Sequence, residues 1–147
     1  MIETVNATKI IALPSDKAWQ AIAQIGGLER WFPVITDCQV LDSGVGATRI
    51  MTLTSGEEII DRIESIDHQT RRFQYNRIKS PFPVNRYLGT VDICKIGPDS
   101  SEISWTVEID VDQEQRDELV GFIKQALTDG IDGLERDLLS STTALQI

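Results

Sequence analysis

Basic side chains are scarce in this sequence: 14 lysines and arginines stand against 23 aspartates and glutamates, a formal net charge of −9. Nucleic acid is bound through clustered cations that displace counterions from phosphates, so an acidic chain with a pI near 4.5 excludes a DNA- or RNA-binding surface and disfavours an anionic membrane. Histidine occurs once, at His68, and cysteine twice, at Cys38 and Cys94. With no CxxC pair and no Cys/His cluster, a zinc site lacks ligands, and no cofactor or metal is expected. The two cysteines lie far apart inside predicted strands and are expected to remain reduced thiols of an intracellular protein. No stretch approaches the ~18 apolar residues of a membrane span, which excludes membrane insertion by a helix. The start MIETVNATKIIALP lacks the basic region and apolar run of a signal peptide, so a cytoplasmic location is expected. GxSxG and Gly-rich phosphate loops are missing too, and GGLE after the first predicted helix reads only as a glycine stop.

What remains is the composition of a globular domain, 41% hydrophobic and 25% charged over 147 residues, with no linker or repeat that would divide it. A single domain over residues 1–147 is expected, and a chain of this length buries about 68 to 70% of its unfolded surface, enough for a core without disulfides. Glu3 to Ala12 reads as a strand. Ser15 then precedes DKAWQAIAQI as a helix cap, with Gly26-Gly27 as the stop, and LERWF forms a second short helix ending at Pro33. Six further strands follow: CQVL, TRIMTL, EEIIDRIESI, RRFQYNRI, NRYLGTVDICKI and SEISWTVEIDV, separated by turn-rich segments. A long amphipathic helix runs from about Gln113 to Ser140, with Phe122, Ile123 and Leu127 on its apolar side; Gly130 and Gly133 in its later half imply close packing or a kink. This is an α+β order: a strongly bent antiparallel sheet of seven strands gripping a long terminal helix, with two short helices after the first strand.

Strand alternation raises a physical question. Arg49 shares a face with Met51 and Leu53, and Asp61 with Ile59 and Ile63, so both charges point toward the core. The same alternation places Phe73, Tyr75 and Arg77 together, Tyr87 with Gly89, Val91 and Ile93, and Trp105 with Val107. A lone ion in an apolar core is too unfavourable to persist, so Arg49 and Asp61 must meet each other, water or a bound polar group. Two readings stay open: a register-fixing ion pair, or a pocket in which the pair orients a ligand's polar end. Trp31 and Phe32 cover one end of the sheet or frame an entrance. Pro81-Phe82-Pro83 forms a stiff lid or merely a rigid turn. His68, beside Asp67 at a strand end, reads as an exposed turn residue.

The ordered run IIALPSDKAWQAI, LERWFP, GATRIMTLTSGE, IDHQTRRFQYNRI, SPFPVNRYLGTVDI, SEISWTVEI and the terminal helix resembles the START-like (SRPBCC) superfamily of helix-grip proteins over nearly the whole chain. It is most similar to the polyketide cyclase/dehydrase and lipid-transport branch, which also includes birch-pollen-allergen-like proteins. The resemblance implies a cavity between sheet and terminal helix. In similar members a glutamate usually stands where this chain has Asp61, whose carboxylate reaches one methylene less far.

Three functions follow. The first is binding of a small, largely apolar molecule, such as a lipid, sterol-like, aromatic or polyketide-like compound, with Arg49, Asp61, Tyr75, Tyr87, Trp105, Trp31 and Arg77 as ligand-binding residues. The second is cyclase- or dehydratase-like acid–base catalysis by Arg49, Asp61 and a tyrosine, although an aspartate beside an arginine is a weak base. The third is an interaction module, such as a homodimer, with a collapsed cavity and an extended exposed apolar patch.

Overall fold

A computed structural model describes residues 1–145, with side chains up to residue 140. The chain runs as β1 (Ile2–Ile11), α1 (Ser15–Ala23), a 3-10 turn over Leu28–Arg30, β2 (Ile35–Leu41), β3 (Thr48–Leu53), β4 (Glu58–Asp67), β5 (Arg72–Lys79), β6 (Arg86–Gly97), β7 (Ser100–Asp110), a second 3-10 turn at Gln113–Gln115, and α2 (Arg116–Leu145). The strands make one antiparallel sheet in the order β1-β7-β6-β5-β4-β3-β2. From β2 onward each strand pairs with its successor, while β1 adds to β7 at the other edge. The segment holding α1 and the first 3-10 turn therefore carries the chain from one edge of the sheet to the other. Register shifts in β2, β4, β5 and β6 mark bulges, which bend strands and let the sheet curve around α2.

Alternation holds along the sheet. In β7 the residues Ser101, Ile103, Trp105, Val107 and Ile109 are buried and their neighbours are half-buried, as one covered face requires. Ion pairs fasten the edge strand to the helix: Lys9 of β1 meets Asp132 and Glu135 of α2, and Glu135 also accepts from the Ala12 backbone amide.

Local details differ from the sequence reading where a tertiary partner intervenes. Ser15 is buried as the first residue of α1, and its hydroxyl accepts a hydrogen bond from Arg71 at 2.9 Å instead of capping the helix. Of the two glycines after α1, Gly27 is left-handed, at φ 91°, but the left-handed turn begins two residues earlier at Ile25, at φ 73°. LERWF shortens to one 3-10 turn, after which the amides of Trp31 and Phe32 both donate to the Leu28 carbonyl. His68 is exposed beyond β4 but not idle, since Trp19 Nε1 donates to its Nδ1 at 3.0 Å.

Gly130 and Gly133 mark close packing. A Cβ on Gly130 would come within 2.3 Å of the Phe32 ring, and one on Gly133 within 2.2 Å of the Trp31 carbonyl oxygen. The α2 backbone thus rests directly on the Trp31-Phe32 segment, and Trp31 Nε1 donates to Asp137 of the same helix at 3.0 Å. Gly121, by contrast, has nothing within 4 Å of its would-be Cβ. In urea denaturation Gly133→Ala is expected to lower stability by about 1–3 kcal/mol, because the obstructing atom is backbone. Gly121→Ala is expected to raise it by up to ~1 kcal/mol through helix propensity.

Candidate functional site

Three neighbouring strands align the inward charges in one row. Arg49 of β3 is opposite Asp61 of β4, and Asp61 is opposite Arg77 of β5. Asp61 Oδ2 accepts from Arg49 Nη2 at 2.9 Å and Nε at 3.3 Å, while its Oδ1 accepts from Arg77 Nε at 2.9 Å and its Oδ2 from Arg77 Nη2 at 3.4 Å. Arg49 spends its remaining nitrogen on the Ile25 carbonyl, 3.0 Å away. Side-chain exposure is 2% for Arg49, 0% for Asp61 and 11% for Arg77, so Arg77 alone of the three reaches open space.

Aromatic faces cover the guanidiniums. The Arg49 guanidinium carbon lies 4.8 Å from the Tyr75 ring centre, and that of Arg77 lies 4.0 Å from Tyr87. Such contacts partly replace the hydration lost on burial. Tyr75 lies flat across Gly89, its partner on β6, where a Cβ would meet the ring at 2.1 Å. Its hydroxyl oxygen accepts from Trp105 Nε1 at 3.0 Å. Burial first, and then Tyr87, push the Tyr75 phenol above its ordinary range, so it stays protonated at neutral pH and keeps a proton to donate. For Arg77 burial acts downward, but Asp61, then Tyr87 and Tyr75, outweigh it and hold the guanidinium charged.

Between this wall and the first half of α2 lies a cavity of about 70 Å³. Its sheet side carries Tyr75, Arg77, Tyr87 and Trp105; its helix side carries Leu119, Ile123, Ala126 and Leu127. Phe82 of the β5–β6 loop and Phe122 of α2 lie against each other at its rim, ring centres 5.0 Å apart. Phe122 is 43% exposed and so stands off the core stripe that helical spacing assigns it to. Of the seven residues singled out from sequence, Tyr75, Tyr87, Trp105 and Arg77 line the cavity. Arg49 and Asp61 lie behind Tyr75 and Arg77, and Trp31 is packed under α2, with Phe32 facing the cavity in its place. Sequence reasoning missed the Ile25 carbonyl and the rim position of Phe122. Only the pairing of two large aromatics on facing segments could have signalled the latter.

Cys38 is half-buried and Cys94 exposed, both as free thiols; burial pushes the Cys38 thiol up, against smaller opposing effects that include Arg49. Among the described residues no group of three His, Cys, Asp or Glu is placed to hold a metal, and no helix is long and apolar enough to cross a membrane.

Comparison with known proteins bears on the same architecture. The family described as polyketide cyclase/dehydrase and lipid transport matches residues 3–138. No functionally curated protein matches the sequence. Among solved structures, an uncharacterised protein from Bacillus thuringiensis superposes with a TM-score of 0.83 at 23% identity, covering 93% of this chain and 99% of that one. Norcoclaurine synthase from Thalictrum flavum, in complex with dopamine and hydroxybenzaldehyde, has a TM-score of 0.79 at 20% identity, covering 95% and 88%. An aromatase/cyclase from a Streptomyces species has a TM-score of 0.81 at 16% identity, covering 94% of each chain. At these identities the structural likenesses establish the helix-grip fold and nothing finer.

The charged row has a measurable energetic signature. Asp61→Asn leaves two buried guanidiniums facing an uncharged amide and is expected to lower stability by ~3–5 kcal/mol, whereas replacing all three charged residues together by apolar ones of similar size is expected to be far milder. Guanidinium chloride unfolding of the single and triple variants checks the difference.

Proposed function

The chain belongs to the polyketide cyclase/dehydrase and lipid transport family, and from that premise we propose that it binds a small, largely apolar molecule between the sheet and the first half of α2. The observation that carries this reading is the asymmetry of the cavity. Leu119, Ile123 and Leu127 make the helix side apolar, while Arg77, Tyr75 and Tyr87 gather the polar groups on the sheet side. A few convergent polar groups in an apolar recess are the usual arrangement for holding one end of a ligand and burying the rest. Trp105 and Tyr87 supply flat faces, and the aromatic dopamine and hydroxybenzaldehyde bound by norcoclaurine synthase are in keeping with a ring-bearing ligand here.

Ligand pockets usually measure ~300–1,000 Å³, so a cavity of about 70 Å³ has to widen on binding. The parts placed to yield are the Phe82 loop and Phe122, which meet at the rim, and not the clamped end of α2. Acid–base catalysis draws less support: both Asp61 oxygens already accept from arginines, and the residue does not line the cavity.

Nile red, a neutral apolar dye, is expected to bind with rising emission, and binding at about a hundred times Kd is expected to stabilise the fold by ~2.7 kcal/mol. Ala126→Phe places a ring in the cavity and is expected to abolish both effects while leaving the circular dichroism of the fold intact. Unchanged dye binding in that variant would move the site elsewhere on the protein.

A further inference from the structure

Arg77, Tyr75 and Tyr87, the polar groups on the sheet side of the cavity, each have a donor to offer. Asp61 occupies Nε and one hydrogen of Nη2 on Arg77, leaving the Nη1/Nη2 end of the guanidinium without a partner among the described residues. The Tyr75 hydroxyl accepts from Trp105 and donates to no group among the described residues, so its proton is available to a ligand. The Tyr87 hydroxyl makes no hydrogen bond among the described residues. Among the described residues no carboxylate lines the cavity. A guanidinium edge with two phenolic protons is complementary to a group that only accepts, and the planar two-oxygen group matching such an edge is a carboxylate.

Charge points the same way. Two guanidiniums share one carboxylate in the row Arg49–Asp61–Arg77, a formal surplus of one positive charge inside a protein of net charge −9. Arg77 also borders a second cleft on the outer side, at the ends of β5 and β6, together with Lys79 and Arg86; no aspartate or glutamate lines it. Lys79 reaches Glu58 at 3.4 Å, and Arg86 is exposed. In an otherwise acidic molecule this cationic corner beside the cavity favours the approach of an anion, and field of one sign in a cleft acts on association rate.

We propose that the ligand is an apolar carboxylic acid bound as its carboxylate, with Arg77, Tyr75 and Tyr87 holding the charged end and the tail lying under α2. The assignment rests on the cavity-binding reading and narrows it to one chemical class. Arg49 and Asp61 are positioning residues for Arg77 in this scheme: they fix which edge of its guanidinium is spent inside the sheet and which is left for the ligand.

Titration calorimetry at neutral pH with two matched pairs tests it: octanoate against octanol, and naphthoate against naphthylmethanol. Each acid is expected to bind at least about tenfold more tightly than its alcohol, the ratio expected of a charge-assisted hydrogen bond over a neutral one. In Arg77→Gln the two members of each pair are expected to converge. Because that variant also disturbs Asp61, stopped-flow association with the surface pair Lys79→Gln/Arg86→Gln provides a second reading, in which the acid-to-alcohol ratio of association rates falls and depends less on salt. Alcohols that bind as tightly as the acids would overturn the carboxylate assignment and leave the cavity reading standing. Binding of neither member, together with no binding of Nile red, would overturn both.

Discussion

Asp61 sits on the middle strand of three, and its carboxylate is the common acceptor for Arg49 on one side and Arg77 on the other. In surroundings that exclude water such a group is tolerated only when fully engaged, and here each oxygen accepts at least one charged donor. The arrangement constrains more than the sheet. Arg49 extends from Asp61 to the carbonyl of Ile25, so the network also fastens the segment after α1 to the centre of the sheet. Ile25 is a β-branched residue at φ 73°, a conformation that costs of order 1–3 kcal/mol and persists only when the surroundings over-determine it. The buried arginine on its carbonyl is one of those determinants.

Two halves of α2 meet the rest of the molecule differently, and the difference positions the cavity. Around Gly130 and Gly133 the helix backbone lies against Phe32 and Trp31 with no room for a methyl group. One to three turns earlier the contacts are made by the ends of longer side chains, Leu119, Ile123 and Leu127, and the gap beneath them is the cavity. Deep packing at one end and a side-chain roof at the other let the roof shift without loss of the clamp, since openings draw on the least tightly packed regions. The exposed Phe122, leaning on Phe82, belongs to the end roofed by side chains.

Much of this was legible in the sequence, for reasons that differ by element. Period-two alternation identifies the inner faces of β3 to β7, because a strand has only two sides; spacing alone therefore puts Arg49, Asp61, Arg77 and Tyr75 on one side of the sheet. Depth within the face is another matter. Alternation cannot tell that Tyr75 would lie over Gly89 and screen Arg49 and Asp61 from the cavity, since this depends on side-chain direction across three strands. Irregular segments gave weaker signals still. Trp31 and Phe32 are adjacent, and nothing in ERWFP says that the second ring, and not the first, faces the cavity. Ser15 has the right residue type and position for a helix cap, but Arg71, distant in sequence, claims its hydroxyl. In each case a tertiary partner outweighed a local preference.

The aspartate itself decides which charge a ligand would meet. The short side chain keeps its carboxylate level with Arg49 and Arg77, and the residue is fully buried. A carboxylate one methylene longer would extend the negative charge away from its own strand and compete for the edge of Arg77 that Asp61 leaves free. With aspartate the negative charge stays within the sheet and the cation forms the wall. The same row therefore satisfies the charges buried between three strands and, through Arg77, places a cation on the cavity wall.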